Sequence, residues 1–142
     1  MSSKSKAIGT RAETKVARYL SDHGLPTRRK ALAGSLDEGD LCMLLQDGTE
    51  VTVEVKAGKQ TWNYNRAKLT EWQRQTVVES HNSGCRSMLV IVRHQRRFDD
   101  AEVWIPVEQW DSDNSLADCW AVLHIDDFAR RYGNYEEEMI GG

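Results

Sequence analysis

The chain has 142 residues, 39% of them apolar and 29% charged, with 19 Lys+Arg against 22 Asp+Glu for a formal net charge of −3. That length fits one domain, and five tryptophans within this apolar fraction are enough for one core, so no second domain is expected. No run approaches the roughly 20 apolar residues of a membrane span and Met1–Gly9 has no signal-peptide core, so a cytoplasmic protein with no membrane partner is expected, nucleoid-associated or in host cytoplasm if viral.

Residues 1–8 read as a flexible basic lead-in. Thr10-x-x-Glu13 then has the form of a capping box, and Ala12, Val16, Tyr19 and Leu20 follow at helical spacing. With Gly24 and Pro26 beyond His23, the expected helix covers Thr10–His23. Glu13 serves as the acid of that cap on the plain reading. It also shares a face with Val16, Ala17 and Leu20, which would turn it inward as a candidate third carboxylate, and both readings stand. Residues 25–39 suggest a short strand about Thr27–Ala31 and an exposed loop, Gly34-Ser35-Leu36-Asp37-Glu38-Gly39, that delivers the chain to Asp40.

The following hairpin is the most informative stretch. In residues 50–56, alternation puts Glu50, Thr52, Glu54 and Lys56 on one face and Val51, Val53 and Val55 on the other, the core face. A two-residue turn at Asp47-Gly48 would set Leu41 against Glu54 and mix charge with core. A three-residue loop, Gln46-Asp47-Gly48, pairs Leu41 with Val53, Met43 with Val51 and Asp40 with Glu54. This register keeps the apolar partners together and is the one expected.

Opposed carboxylates have Cβ atoms roughly 4.5–5.5 Å apart and repel each other. A cation between them is the natural remedy, and Mg²⁺ is commonly held by one or two carboxylates with waters and substrate phosphate oxygens. Lys56, two residues beyond Glu54 on the same face, could orient a water or stabilise developing negative charge. The arrangement points to metal-dependent phosphodiester hydrolysis. A solvated hairpin face bearing ordinary surface charges fits the same pattern, and the spacing alone does not choose.

After Lys56, residues 57–68 interleave cations and amides with Trp62 and Tyr64, a mixture that can contact phosphates and stack on bases, or be a polar loop pinned by one core tryptophan. Leu69, Trp72, Thr76 and Val77 then mark a helix ending at Asn82-Ser83-Gly84, with Gln73 near its start. Met88–Val92 and Ala101–Pro106 read as strands separated by a basic turn, His94–Arg97. The remainder closes the domain through Val107–Trp110, Cys119–His124 and a short helix begun by Asp126-Asp127, before an acidic tail at about 134–142. A helix between the Glu54 strand and the Met88 strand makes a crossover, right-handed by rule, and an α/β fold with a mixed sheet.

Cys42, Cys85 and Cys119 lack Cys-x-x-Cys spacing and read as free thiols, and the four histidines show no metal-ligand spacing. Charge is unevenly divided. Residues 1–75 hold 13 Lys+Arg and 9 Asp+Glu (+4), and residues 76–142 hold 6 and 13 (−7). The basic excess therefore accompanies the carboxylates. Arg11, Lys15, Arg28, Arg29 and Lys30 belong to its densest part, the kind of footprint that suits a phosphate backbone.

Glu13 on the first helix, Asp40 heading a hairpin strand and Glu54-Val55-Lys56 on the next resemble the PD-(D/E)XK nuclease superfamily and, within it, the archaeal-type Holliday junction resolvases. The likeness covers roughly residues 8–110 and takes in Gly9, Arg28 or Arg29, Gly34-Ser35 and Gln73. Gly39 stands where the superfamily motif often has proline, the loop after Ser35 is short, and the acidic C-terminal third has no counterpart. The resemblance implies a restriction-endonuclease-like core of order αβββαβ and a homodimer that cuts DNA four-way junctions by paired nicks. It also implies Mg²⁺, with Mn²⁺ able to substitute, held by Asp40, Glu54 and the Val55 carbonyl with help from Glu13. Lys56 would position the attacking water, Gln73 would orient Lys56 or a phosphate, and Arg29 and Ser35 would contact the scissile strand. Lys59, with Arg11, Lys15, Arg28 and Lys30, completes the expected DNA-binding set. The competing readings are a nuclease of the same superfamily acting on other DNA, of restriction or repair type, and a non-catalytic DNA-binding derivative of the fold.

Overall fold

The structure is a computed structural model that describes residues 3–30, 39–111 and 118–134. Helix α1 (Ser3–Asp22) leads into β1 (Thr27–Arg29), β2 (Leu41–Leu44) and β3 (Glu50–Lys56), and a 3₁₀ turn at Lys59–Thr61 precedes α2 (Arg66–Ser83). Then come β4 (Arg86–Ile91), a second 3₁₀ turn at Phe98–Asp100, β5 (Glu102–Pro106), α3 (Val107–Trp110), β6 (Trp120–His124) and α4 (Ile125–Tyr132). The strands form one sheet in the order β1-β2-β3-β4-β5-β6. Its neighbours are antiparallel except β3 and β4, which run parallel and are joined across α2. The αβββαβ order expected of the core is present, and β5, α3, β6 and α4 extend it.

The hairpin adopts the three-residue loop. Leu45 and Thr49 close it through a 2.9 Å backbone bond, Gly48 takes φ +89°, and the Asp47 side chain accepts from the Thr49 N–H at 2.9 Å. Leu41 therefore faces Val53 and Met43 faces Val51. Both faces of the central strands are covered. Val51, Val53, Val55, Met88 and Val90 pack with Ala12, Val16 and Leu20 of α1 and Ile125 and Phe128 of α4. On the opposite face, Leu89 and Ile91 pack under Trp72 of α2, which leaves Thr52 and Glu54 buried as well. The face read from alternation as polar is thus a second interior, roofed by α2.

Helix α1 starts seven residues earlier than the capping signature places it. Lys4, Lys6 and Ala7 favour helix, and Gly9 sits in open space, so the chain is already helical at Thr10, whose carbonyl accepts the Thr14 hydroxyl at 3.0 Å. Glu13 is consequently a mid-helix residue and the capping role is excluded. Helix α2 is bounded as its residues suggest. The Asn65 side chain accepts from the Lys68 N–H at 2.9 Å, and Gly84 ends the helix in the left-handed conformation at φ 74°. The loop containing Ser35, most of the acidic tail and Ala31 lie outside the described residues.

Gly39 holds the bend into β2 at φ +95°, a value closed to proline. The glycine that departs from the superfamily pattern is therefore required by this backbone. A Cβ there would stand 2.5 Å from Thr52 Oγ1. Gly39→Ala should destabilise the fold by about 1–3 kcal/mol through strain alone, with the clash adding to it. Urea denaturation monitored by tryptophan fluorescence would show this as a lowered midpoint, and an unchanged midpoint would mean that the bend relaxes freely.

Candidate active site

The paired register ends at Leu41–Val53, and Asp40, just outside it, bonds to that same Val53 instead of pairing directly with Glu54 as the hairpin alone would predict. The Asp40 N–H donates to Val53 O at 3.0 Å, and its carboxylate accepts the Val55 N–H through Oδ2 at 2.9 Å. A strand residue presents its N–H and C=O to the same side, so the Val55 carbonyl opens toward the Asp40 side. Lys56 turns the other way, its carbonyl accepting the Val92 N–H at 2.8 Å.

Glu54 is only 4% exposed beneath α2. Its Oε2 lies 3.0 Å from Lys56 Nζ, Lys56 donates to Gln75 Oε1 at 2.8 Å, and Gln75 Nε2 donates to the same Glu54 oxygen at 3.3 Å. This closed triangle fixes the lysine head. The resemblance assigned that amide role to Gln73, but the side chain that meets Lys56 is Gln75. The helix face that buries Trp72, Thr76 and Glu79 also carries Gln75, whereas Gln73 falls about 100° round the axis from Trp72.

Glu79 is the acid that the sequence reading missed. It is 1% exposed and interacts with Glu54. It also lies beneath Gly39, with Oε1 3.5 Å from where a Cβ would stand. The available signal was spacing, since Glu79 continues the Trp72 stripe at i+7. Burial first, then the Asp40 carboxylate, push the Glu54 pKa up to about 7, against the opposing influence of Glu79 and of the Lys56 charge and hydrogen bond.

Glu13 reaches the same place from the α1 side of the sheet. Its Oε1 is 2.9 Å from Arg29 Nη2. Its pKa is raised by burial and by Asp40, and lowered by Arg29. Asp40 thus acts electrostatically on Glu13 from one face and on Glu54 from the other. Glu13, Asp40, Glu54 and Lys56 meet at the rim of the sheet, with Asp40 between the two layers.

The expected DNA-contacting cations are more dispersed. In β1, Arg29 pairs with Leu41 and Arg28 with Cys42, so alternation sends Arg29 toward α1 and Arg28 to the opposite face. The Cys42 thiol responds to both Arg28 and Lys30. The five cations named as one surface therefore divide between the two sides of the sheet. Arg11 is exposed on α1, Lys15 lies 4.9 Å over the Phe98 ring, and Lys59 is exposed at the start of the 3₁₀ turn after β3. The three cysteines are free, Cys42 buried and Cys85 and Cys119 less so. His124, Asp126 and Asp127 do form a group with ligand atoms within 4.8 Å of one another, unforeseen in the reading of the histidines. It sits where β6 enters α4, where first-turn acids complement the helix dipole.

No protein-family model matches the chain, and no curated protein does. Among solved structures the chain is similar to Hjc of Archaeoglobus fulgidus, a Holliday junction resolvase from an archaeal hyperthermophile, with a TM-score of 0.54 and 21% identity over 85% of this chain and 99% of that one. The likeness establishes the fold, a mixed sheet flanked by helices of the restriction-endonuclease-like type.

The raised Glu54 pKa has a thermodynamic sign. Between its ordinary value of 4.5 and about 7, the folded metal-free chain holds a proton that the unfolded chain has lost, so this group's contribution to stability falls as pH rises through that window. Glu54→Gln should flatten the decline in melting temperature of chelator-treated protein across those pH values. Parallel declines in the parent and the variant would show that Glu54 ionises normally.

Proposed function

We propose that the chain is a divalent-cation-dependent endonuclease that acts on branched DNA, with four-way junctions as its substrate class and a homodimer as its working unit. The convergence of Asp40, Glu13 and Glu54, with Lys56 fixed on Glu54, is the observation that carries this reading. The likeness in fold to a resolvase supports it.

The donor set fits a hard cation. Asp40 and Glu54 are neighbouring carboxylates whose repulsion such an ion would relieve, the Val55 carbonyl opens toward the same side, and Glu13 offers a further oxygen directly or through water. Mg²⁺ suits these oxygens, and Mn²⁺ should substitute. When bound, the cation would neutralise phosphate charge and lower the pKa of a bound water. The remaining steps fall to the protein. Lysine has three N–H donors; Lys56 directs two toward Glu54 and Gln75, leaving one to orient the attacking water or a phosphate oxygen. Gln75 keeps that head in place, a positioning role proposed here instead of Gln73. Arg29 is half exposed beside Glu13, where it can exchange that partner for a phosphate of the scissile strand. Arg11, Arg28, Lys30 and Lys59 supply further phosphate contacts on both sides of the rim.

A four-way junction has two-fold symmetry, and a C₂ dimer brings two sites related by the same symmetry. Incubation with Mg²⁺ and labelled junction, fork and linear duplex should give paired, symmetric nicks on the junction. Asp40→Asn and Glu54→Gln should abolish them while junction binding persists, and Lys56→Ala should slow the chemical step about 10²–10³-fold. Cleavage confined to linear duplex would assign the site to a different DNA substrate, and a monomer that cuts both junction strands in one encounter would remove the dimer.

Gln75 and Gln73 separate in a single comparison. Gln75→Ala should lower the cleavage rate about 10–100-fold, as expected for a residue that orients a catalytic side chain. Gln73→Ala should cost much less. The reverse order would return the positioning role to Gln73.

A further inference from the structure

One aromatic segment plays no part in the carboxylate site. Trp62 is 55% exposed, the most exposed large apolar side chain among the described residues. An indole on the surface forgoes one of the largest gains from burial open to any side chain. The sequence allowed Trp62 to be a core pin, but the pin is its neighbour Thr61, which is fully buried. Thr61 Oγ1 lies 2.9 Å from Gly58 O and 3.2 Å from Val92 O, and accepts the His94 N–H at 2.8 Å. Arg93 Nε donates to Thr61 O at 3.1 Å, and Arg93 is itself held by Glu102 at 2.8 Å and by the Tyr64 ring. The indole is thus mounted on a braced turn.

What surrounds it has a consistent chemistry. Trp62, His94, Lys59 and Gln95 line a hollow of about 350 Å³, near the lower end of the roughly 300–1,000 Å³ usual for small-ligand sites. The His94 ring meets the indole edge-on at 5.8 Å. Gln95 occupies the left-handed region at φ 58°, which a residue with a side chain enters at a cost and which clusters at binding sites. Arg96 is exposed on the same turn. Aromatic face, amide and cations together match an unpaired nucleotide, with the base on the indole, its edge toward Gln95 and His94, and its phosphate toward Lys59.

The hollow is also joined through the backbone to the strand that carries Glu54 and Lys56. Lys59 follows Lys56 by three residues, and the Val92 N–H ties the start of the His94 turn to the Lys56 carbonyl at 2.8 Å. We propose that Trp62, His94, Gln95 and Lys59 form a stacking subsite for one unpaired base of a branched DNA, beside the phosphate to be cut. This deepens the nuclease reading and rests on it for the identity of the strand.

Binding without cleavage tests it separately. Asp40→Asn protein in chelator is titrated with a fork carrying 2-aminopurine at the first unpaired position, and with a fully paired duplex carrying the same base. The fork signal should be quenched on binding and the duplex signal should not. Adding Trp62→Ala should remove the quench and weaken fork binding about tenfold or more, while Trp62→Phe should retain most of both. Because the ring is exposed, its removal should leave the melting temperature of the protein unchanged. An unaltered quench in Trp62→Ala, an equal loss of affinity for fork and paired duplex, or no binding of the fork at all would overturn the subsite. A Trp62-dependent quench in a protein that cuts no DNA in Mg²⁺ would sink the nuclease reading and leave the subsite standing. Cleavage without the quench would do the opposite.

Discussion

Everything at the rim depends on one enforced proximity, the carboxylate of Asp40 set close to that of Glu54. The hairpin brings Asp40 to Val53 and Val55, the two residues that flank Glu54. Its three-residue loop with Gly48 at φ +89° locks Leu41 to Val53 and Met43 to Val51, and slipping by one residue would turn valines out of the core. The core thus supplies the free energy that holds two like charges together. The surroundings then limit the repulsion. The Val55 N–H holds Asp40, Lys56 and Gln75 hold Glu54 from above, and Glu79 meets it from within.

Charge in this region is divided between two layers. Arg29 answers Glu13 on the α1 side and Lys56 answers Glu54 on the α2 side, while Asp40 interacts with both acids. Neither layer alone assembles the site. A disturbance in the packing of either α1 or α2 against the sheet therefore reaches the same carboxylates, which ties the geometry of the chemistry to the fold as a whole.

Much of this could be read from residues alone, and the exceptions share a cause. The hairpin register was legible because apolar partners must coincide and only one loop length achieves that. The ends of α2 were legible from Asn65 and Gly84, whose roles are local. The start of α1 was misread because Thr10-x-x-Glu13 has the form of a cap, which outweighed the helix-favouring Lys4, Lys6 and Ala7 before it. Glu79 was legible from its spacing to Trp72, but Gln75 was missed for a different reason. The rotation of α2 about its axis is fixed by how Trp72 seats over Leu89 and Ile91, a long-range contact that strand-by-strand reading does not contain. Alternation likewise separated Arg28 from Arg29 once β1 was paired with β2, although in sequence they form one basic run.

The double roof over the central strands has a further consequence. With α1 and α4 on one side and α2 on the other, neither broad face of β3 or β4 is open to a large ligand. Access is left to the rim, where the chain passes through turns rather than through ladder hydrogen bonds. Those turns are braced from below, as Thr61 shows, while side chains such as Trp62 stand outward from them. A lineage could exchange the groups that face the ligand while every residue of the interior stayed as it was, so the portion that selects what is bound and the portion that keeps the protein folded are free to diverge at different speeds.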